Sequence, residues 1–308
     1  MKMKRLLVIG LLFVLACAQQ RPEDINQVSA VSKYVRSGVQ GVEMNFVENL
    51  PPRQIYDNAD LVAVLEMYNL GNYDINANKC FVQFGGFDQN IIRGVGANAR
   101  QLCGELPGKS EFLIDGGYGT VEIKSSNILL PGDVDLYNPS VVATVCYEYQ
   151  TVASPQVCID PAFFEVSREQ RACEVRDFSV GGGQGAPVAV TFVDVDMVRN
   201  RAIFKIDIQN VGTGRVVSPR TSLTQCLGGV KYDEFDQVRY NIKLASGTMV
   251  SCSPQDFLVR MGKEGRGRIT CTFDVGNTRA YETPLRIELN YNYMQSVRTP
   301  VEIIRTPG

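Results

Sequence analysis

The sequence of 308 residues contains no histidine and no tryptophan. Without histidine, every catalytic scheme that uses imidazole as a base or a metal ligand is excluded, including Ser-His-Asp and Cys-His hydrolases and most zinc enzymes. Neither sign of charge is in large excess, because the sequence has 31 Lys and Arg and 33 Asp and Glu. There is therefore no electrostatic reason to expect nucleic acid as a partner. Carboxylate-pair, lysine or tyrosine chemistry remains open, but nothing in the sequence calls for it. We therefore expect a protein that is not an enzyme and has no cofactor, no metal site and no nucleic-acid partner.

The first 18 residues read as a signal peptide. Three cations among the first five residues precede the uncharged run Leu6–Ala16, which is too short for a permanent membrane span. The run ends in Val14–Cys17, which resembles the lipobox of lipoproteins, although Val14 stands where Leu is commonest. The resemblance implies that Cys17 carries a lipid that anchors the chain in the membrane. The alternative is a conventional signal cleaved after Ala16 or Ala18, and both interpretations export the mature chain.

An internal repeat organises the rest of the chain. Segments 145–159 and 289–303 share two tyrosines and a returning Val and Ile at the same separations, the tyrosines being Tyr147 and Tyr149 in one and Tyr291 and Tyr293 in the other. Earlier in each half, an apolar run ends in Asn-x-Gly, and a further strand-like run precedes it. These features recur in the same order, so we infer a duplication.

The apolar pattern within both halves has a period of two. Phe204–Ile208 and Val121–Lys124 alternate apolar with polar residues, and clusters of Gly, Pro, Asn and Asp separate such runs. This pattern predicts an all-β fold of two tandem immunoglobulin-like β-sandwich domains. The predicted divisions are a signal at 1–18, a tether at 19–39, and domains at 40–165 and 166–308.

The Asn-x-Gly motifs and the closing hairpins also carry a family resemblance. Asn69-Leu70-Gly71 and Asn210-Val211-Gly212 each follow an early strand, and each half closes with its tyrosine-bearing hairpin. Together they look like the CARDB-type immunoglobulin-like modules of archaeal and bacterial surface proteins. The resemblance implies adhesion or envelope architecture, and it supplies no catalytic residues.

Eight cysteines follow the leader, four in each half. In an exported chain this even count predicts disulfides, and zinc is disfavoured because there is no CxxC spacing and no His. Cys80 and Cys226 each stand before a Gly-Gly pair, with another cysteine at a comparable distance beyond. The two cysteines of the first closing hairpin are replaced together, by Asn290 and Glu302, so we expect them to bond to each other, and the last two pair by elimination. The predicted bonds are Cys80–Cys103, Cys226–Cys252, Cys146–Cys158 and Cys173–Cys271.

Several polar clusters are open to a functional interpretation. The glycine-rich segment 181–185 lacks the Lys-Ser/Thr and the βαβ setting of a phosphate loop, and is predicted to be a flexible link. Two acidic groups are predicted to form a solvated edge, with calcium binding as the alternative: Asp194 with Asp196, and Asp233 and Glu234 with Asp236. Three cations are predicted to lie in an exposed hairpin loop, with contact to an anionic glycan or lipid headgroup as the alternative: Lys263, Arg266 and Arg268.

The paired tyrosines of the closing hairpins lie on the apolar face of their strands. We expect them to pack in the core with hydroxyls at its rim, and stacking on sugars is the alternative.

The leading functional hypothesis is a non-catalytic envelope or cell-surface protein, exported and membrane-anchored on the extracytoplasmic side. Its partner would be an envelope or surface protein or a glycan, bound by loops at the sandwich ends or by an exposed sheet edge. One alternative is an accessory subunit or chaperone of an envelope assembly or secretion system, which should show an unpaired edge strand or an exposed apolar patch. Another is a carbohydrate-binding or glycan-processing protein, which would need two facing carboxylates if it cleaves glycans.

Overall fold

The computed structural model describes residues 33–164, 171–276 and 279–307, without the side chains of residues 97 and 98; the predicted signal and Cys17 lie outside this range. The fold is all-β, as predicted. Residues 33–35, at the beginning of the described chain, are helical. The other helical segments in the described chain are single turns, at Ala77–Lys79, Gly96–Ala99, Leu223–Cys226 and Tyr232–Glu234. The strands of the first half are β1 (Val42–Phe46), β2 (Gln54–Tyr56), β3 (Val62–Asn69), β4 (Cys80–Gly85), β5 (Ile92–Arg93), β6 (Arg100–Leu102), β7 (Tyr118–Lys124), β8 (Asn127–Ile128), β9 (Leu136–Tyr137), β10 (Ser140–Ala153) and β11 (Gln156–Ile159). Those of the second half are β12 (Phe178–Ser179), β13 (Val188–Val198), β14 (Arg201–Asn210), β15 (Arg215–Val217), β16 (Gln237–Leu244), β17 (Thr248–Ser253), β18 (Leu258–Arg260), β19 (Arg266–Asp274), β20 (Tyr281–Pro300) and β21 (Glu302–Ile304).

An eight-stranded sheet joins the two repeats. Its main path runs β18-β16-β20-β10-β4-β6, so the two longest strands, β10 and β20, lie side by side at its centre. They pair antiparallel, with Tyr147 opposite Tyr293 and Tyr149 opposite Tyr291. Because Tyr147 and Tyr149 correspond to Tyr291 and Tyr293 in the repeat, the register is reciprocal, as in a symmetric dimer interface. The halves are therefore related by a pseudo-two-fold axis through this sheet.

Two smaller sheets complete the layers. Sheet β1-β3-β7 belongs to the first half, and sheet β12-β13-β14-β19-β17 to the second. The ring of Phe46 on β1 lies 6.4 Å from that of Phe84 on β4, and buried side chains of both halves form one contiguous core. Each half is thus a two-layered sandwich that shares its second layer with the other half.

The last strand of each half crosses to the other half, so the predicted closing hairpins do not form. Strand β11 of the first half pairs with the beginning of β20, which places Ile159 opposite Tyr281. Strand β21 of the second half pairs with β9, which places Ile303 opposite Tyr137, and it also pairs in parallel with β2. The exchange is reciprocal, as the pseudo-two-fold axis requires. The predicted division between residues 165 and 166 lies outside the described residues, and strand pairing joins the chain on either side of it.

All eight predicted cysteines form disulfides, which is typical of exported proteins. The predicted bond Cys80–Cys103 is present. The other three bonds differ from prediction, and they are Cys146–Cys226, Cys158–Cys173 and Cys252–Cys271. The predicted pairs Cys226–Cys252, Cys146–Cys158 and Cys173–Cys271 are therefore wrong.

The pair Cys146–Cys158 fails because β11 does not return along β10. Cys158 lies opposite Glu282 on β20, and its sulfur bonds to Cys173, 15 residues further along the chain. Cys146 instead bonds to Cys226 at the end of the short helix Leu223–Cys226, 80 residues away. Both bonds link residues on opposite sides of the predicted domain boundary.

The pair Cys226–Cys252 fails because Cys226 is not the spatial counterpart of Cys80. Cys80 lies on β4 and bonds to the residue after β6, and the corresponding strands of the second half are β16 and β18. There Val238 stands opposite Val259, so two buried valines replace the disulfide of the first half. The shared Gly-Gly was a coincidence of sequence.

The pair Cys173–Cys271 was obtained by elimination and fails with the other two. Cys271 on β19 lies directly opposite Cys252 on β17, and the two are bonded. This bond therefore links neighbouring strands of one sheet.

Candidate functional site

Four tyrosines meet where β10 and β20 cross the pseudo-two-fold axis. The rings of Tyr147 and Tyr293 lie 5.9 Å apart, and those of Tyr149 and Tyr291 lie 6.3 Å apart, measured between centroids. All four side chains are at most 1% exposed, which confirms that they pack in the core. Their hydroxyls are buried as well, rather than lying at the rim. Stacking on sugars is therefore excluded for this tyrosine cluster.

Two of the hydroxyls accept hydrogen bonds from equivalent outer-sheet strands. The N–H of Val42 donates to the Tyr147 hydroxyl at 3.1 Å, and the N–H of Val188 donates to the Tyr291 hydroxyl at 3.2 Å. Each bond ties the first residue of an outer-sheet strand, β1 or β13, to the shared sheet. The cluster therefore links both sandwich layers in both halves.

The other two hydroxyls explain the Asn-x-Gly motifs. Tyr149 donates to Oδ1 of Asn69 at 3.3 Å, and Tyr293 donates to Oδ1 of Asn210 at 3.0 Å. A Cβ added to Gly71 would lie 1.7 Å from the Tyr149 hydroxyl oxygen. At the matching glycine, Gly212, the distance to the Tyr293 hydroxyl would be 2.5 Å. The motif is thus a receptor for a tyrosine hydroxyl, in which the Asn side-chain oxygen accepts the hydroxyl hydrogen and Gly leaves room for the hydroxyl oxygen.

Burial changes the ionisation of this tyrosine cluster. Loss of solvation raises the pKa of Tyr147, Tyr149 and Tyr291 well above the usual value near 10, and that of Tyr293 to about 12. Since the folded-state pKa values exceed the unfolded ones, the stabilising contribution is complete below pH 10. It is lost as pH rises from 10 towards the folded-state values.

We expect alkaline unfolding to be cooperative above about pH 10, with stability falling by about 1.4 kcal/mol per pH unit for each buried tyrosine. Parallel titrations of tyrosinate absorbance and far-UV circular dichroism check this, because the buried tyrosines should ionise only as the strands are lost. Reversible ionisation of all tyrosines with the sheet intact would contradict it.

A groove opens beside this tyrosine cluster, between edge strand β1 and the far end of β20. We call it the β1 groove. It has a cavity volume of about 400 Å³ and is lined by Val42 to Met44 on one wall and Gln295 to Val297 on the other. Strand β1 pairs with β3 alone, and β15 stops pairing with β20 at Met294. Both walls are thus strand edges, and Glu43 is the one carboxylate among the described lining residues.

The second half closes the equivalent edge with its own chain. Residues 180–185, which we call the strap, precede β13 and lie along it. The Gln184 amide accepts from the N–H of Val190 at 2.8 Å and donates to its C=O at 3.2 Å. Strand β12, just before the strap, pairs antiparallel with β13. The predicted flexible link is therefore a packed segment with a structural role.

An exposed apolar loop forms a separate surface between β6 and β7. Phe112 is 98% exposed, and its neighbours Leu113 and Ile114 are also exposed. The ammonium of Lys109 lies 5.0 Å from the ring centroid of Tyr34, near the beginning of the described chain. This surface is therefore close to the point where the predicted tether would enter the fold.

The predicted charged clusters take part in local structure. Asp196 pairs with Lys205 at 2.7 Å. Arg215 pairs with Asp236 at 3.5 Å. The other acidic residues, Asp194, Asp233 and Glu234, do not join them in a cation site, since no group of three or more acidic or cysteine side chains in the described chain is placed to hold a metal ion.

The predicted basic loop is at the start of β19. Lys263 is exposed in the turn before this strand, and Arg266 opens the strand. Arg268 forms a bidentate ion pair with Asp207 at 2.6 and 2.7 Å, so its charge is already engaged.

Sequence reasoning missed Gln184, because the role of its side chain depends on a strand edge that the sequence does not display.

No protein-family model matches the chain, and no curated protein matches it in sequence. Among solved structures, it is similar to the secreted serine protease VesC from Vibrio cholerae, with 12% identity and a TM-score of 0.20, covering 88% of this chain and 54% of that one. It is also similar to a biofilm-associated protein B domain, with 9% identity, a TM-score of 0.13 and coverage of 84% and 73%. A collagen adhesin from S. aureus is similar with 9% identity and a TM-score of 0.12, and the match covers 88% of this chain and 93% of that one. The chain spans about half the length of VesC.

In the described residues, no helix has the length and apolar character needed to cross a membrane.

Proposed function

We propose that this protein is a non-catalytic envelope protein that presents a rigid two-sandwich platform from a lipid anchor at Cys17. The observation that carries the proposal is the joining of the two halves into one body. Strands β10 and β20 pair along their length, closing strands are exchanged, and Cys146–Cys226 links the halves covalently. Such a body holds its surface loops and edges in a constant arrangement, which suits binding more than hinge-dependent catalysis.

Export is supported by two independent features. Eight oxidised cysteines suit an oxidising compartment, and the first 18 residues have the pattern of a signal ending at Cys17. The partner would be an envelope or surface protein or a glycan, and the exposed loop around Phe112 offers an apolar contact surface for it.

A role as an accessory subunit or chaperone of an envelope assembly is favoured by one specific observation. Strand β1 is an edge strand that borders an open groove, and such edges pair readily with strands of other chains. Glycan cleavage has no comparable support, because the β1 groove supplies only Glu43 where two facing carboxylates are needed.

Replacing Cys17 by Ala should release the protein from the membrane, because the lipid is the proposed anchor. We expect the native chain to sediment with membranes and to carry an acyl chain by mass spectrometry, whereas Cys17→Ala appears in the aqueous fraction. Ala18→Ser is the matched control and should stay with the membrane. Membrane retention of Cys17→Ala would contradict the anchor.

A further inference from the structure

The pseudo-two-fold axis makes β1 and β13 equivalent, and the first residue of each strand is satisfied in the same way. The N–H of Val42 bonds to Tyr147, and the N–H of Val188 bonds to Tyr291. The C=O of Val42 accepts from the Gln295 amide, and the C=O of Val188 accepts from a threonine hydroxyl on β10. Symmetry therefore holds at this position to the level of single hydrogen bonds.

The symmetry ends two residues further along each strand. Met44 corresponds to Val190, and both residues point their N–H and C=O away from the neighbouring inner strand, because the residue before each of them makes the ladder bonds. Beyond this point β1 stays regular, whereas β13 has a bulge that turns the C=O of Thr191 outward, where it accepts from Val180. At Val190, both groups bond to Gln184. At Met44, no hydrogen bond from any described residue reaches either group. One edge is covered and its counterpart is open.

The chain that precedes β1 does not supply the missing cover. The N–H of Gly38 donates to the C=O of Gly182, and the C=O of Gly38 accepts from the N–H of Gly185. This segment therefore lies against the strap of the other half. A Cβ on Gly183 would lie 2.0 Å from the Gly38 oxygen, so the two segments are in close contact. The residues before β1 that the structure describes are thus engaged elsewhere.

We propose that the β1 groove binds an extended segment of a partner protein, which adds a strand antiparallel to β1 and satisfies Met44. The strap indicates the chemistry of this segment. In the other half, β12 supplies an extended strand, and Gly182 and Gly183 with positive φ then bring the amide of Gln184 to Val190. The partner segment would therefore pair as a strand with Phe46, the next outward-facing residue of β1, and turn at glycines to place an Asn or Gln amide opposite Met44. Main-chain hydrogen bonds supply the affinity, and the amide supplies the register.

This inference rests on the proposed binding role, and it names the kind of partner. The test uses the soluble chain from residue 19 onward with its disulfides intact, so the result does not depend on the lipid anchor. A failure of the anchor would appear in membrane fractionation, whereas a failure of the groove appears only in the experiment below.

Amide hydrogen exchange compares the two equivalent edges within one molecule. We expect the Met44 amide to exchange about 100-fold faster than the Val190 amide, because only the second has a hydrogen-bond partner. The variant Gln184→Ala should raise exchange at Val190 towards the rate at Met44. Equal slow exchange at both amides of the unaltered protein would overturn the proposal.

A synthetic peptide with the sequence of residues 178–184, FSVGGGQ, is the strand probe. At millimolar concentration we expect it to slow exchange at Met44 and Phe46 by about tenfold while leaving Val190 unchanged. A scrambled peptide, and one with Leu in place of Gln, should have weaker effects. Met44→Pro removes the outward N–H at an edge position where proline is tolerated, and should abolish the response.

Other possible occupants of the β1 groove would give different hydrogen-exchange results. Protection of Met44 without peptide at every protein concentration would show that the chain's own first residues cover the edge. Protection that grows with protein concentration would show a second copy. Exposure of Met44 with no response to FSVGGGQ would show that the groove takes no strand. Each of these results rejects a partner strand.

Discussion

Replacing Gly71 by Ala should destabilise the protein by about 3 kcal/mol or more. The added Cβ would lie 1.7 Å from the Tyr149 hydroxyl, 2.4 Å from the C=O of Gly185 and 2.8 Å from the C=O of Gln40. Two of these neighbours are backbone atoms, which cannot move away without displacing the strap or the approach to β1. Denaturant titration monitored by circular dichroism measures the loss.

Gly85→Ala is the matched control for this substitution. Gly85 lies in β4 of the same half, and an added Cβ there would meet nothing within 4 Å. We expect a change within about 0.5 kcal/mol. The double variant Gly71→Ala with Tyr149→Phe should recover only part of the loss, because the carbonyl contacts remain. A fully stable Gly71→Ala protein would show that Asn-x-Gly is not a hydroxyl receptor.

Removing the bond between the halves should have the second large effect. Cys146 and Cys226 are 80 residues apart, so replacing both by Ala frees a long loop in the unfolded chain, at a cost between about 4 and 5 kcal/mol. Alanine is preferred to serine because both positions are buried. Equilibrium unfolding of this pair variant against the native protein gives the measurement.

Cys158→Ala with Cys173→Ala provides the comparison. Its loop of 15 residues predicts that the free energy of unfolding falls by about 3 kcal/mol. This fall is smaller by more than about 1 kcal/mol than that expected for the Cys146–Cys226 variant. Both variants keep the pairing of β10 with β20 and should unfold in one transition. Separate transitions for the two halves in the Cys146–Cys226 variant would show that this bond, rather than the shared sheet, makes them one body.

The repeat was the most productive inference from sequence. It placed the tyrosines on apolar faces and marked the Asn-x-Gly motifs as equivalent, and the structure shows why they recur together. Asn69 and Asn210 bind the hydroxyls of Tyr149 and Tyr293. The sequence could not show this relation, because the Asn and the Tyr of each half are separated by about 80 residues.

The disulfide pairing failed for a related reason. Pairing by analogy assumed that each half closes upon itself, with Cys158 returning beside Cys146. Exchange of β11 and β21 between the halves removes that neighbour and moves Cys158 next to β20. The repeated pattern is identical for two separate domains and for two that exchange strands, so no inspection of the pattern could distinguish them.

The residue pattern alone determined the all-β class, the duplication, the oxidised state of the cysteines and the burial of the paired tyrosines. These properties follow from local periodicity and composition, which each segment carries within itself. The partners of the cysteines, the shared sheet and the contrast between a covered β13 and an open β1 depend on which edges meet in three dimensions. Such contacts join distant parts of the chain, and only the folded chain brings them together.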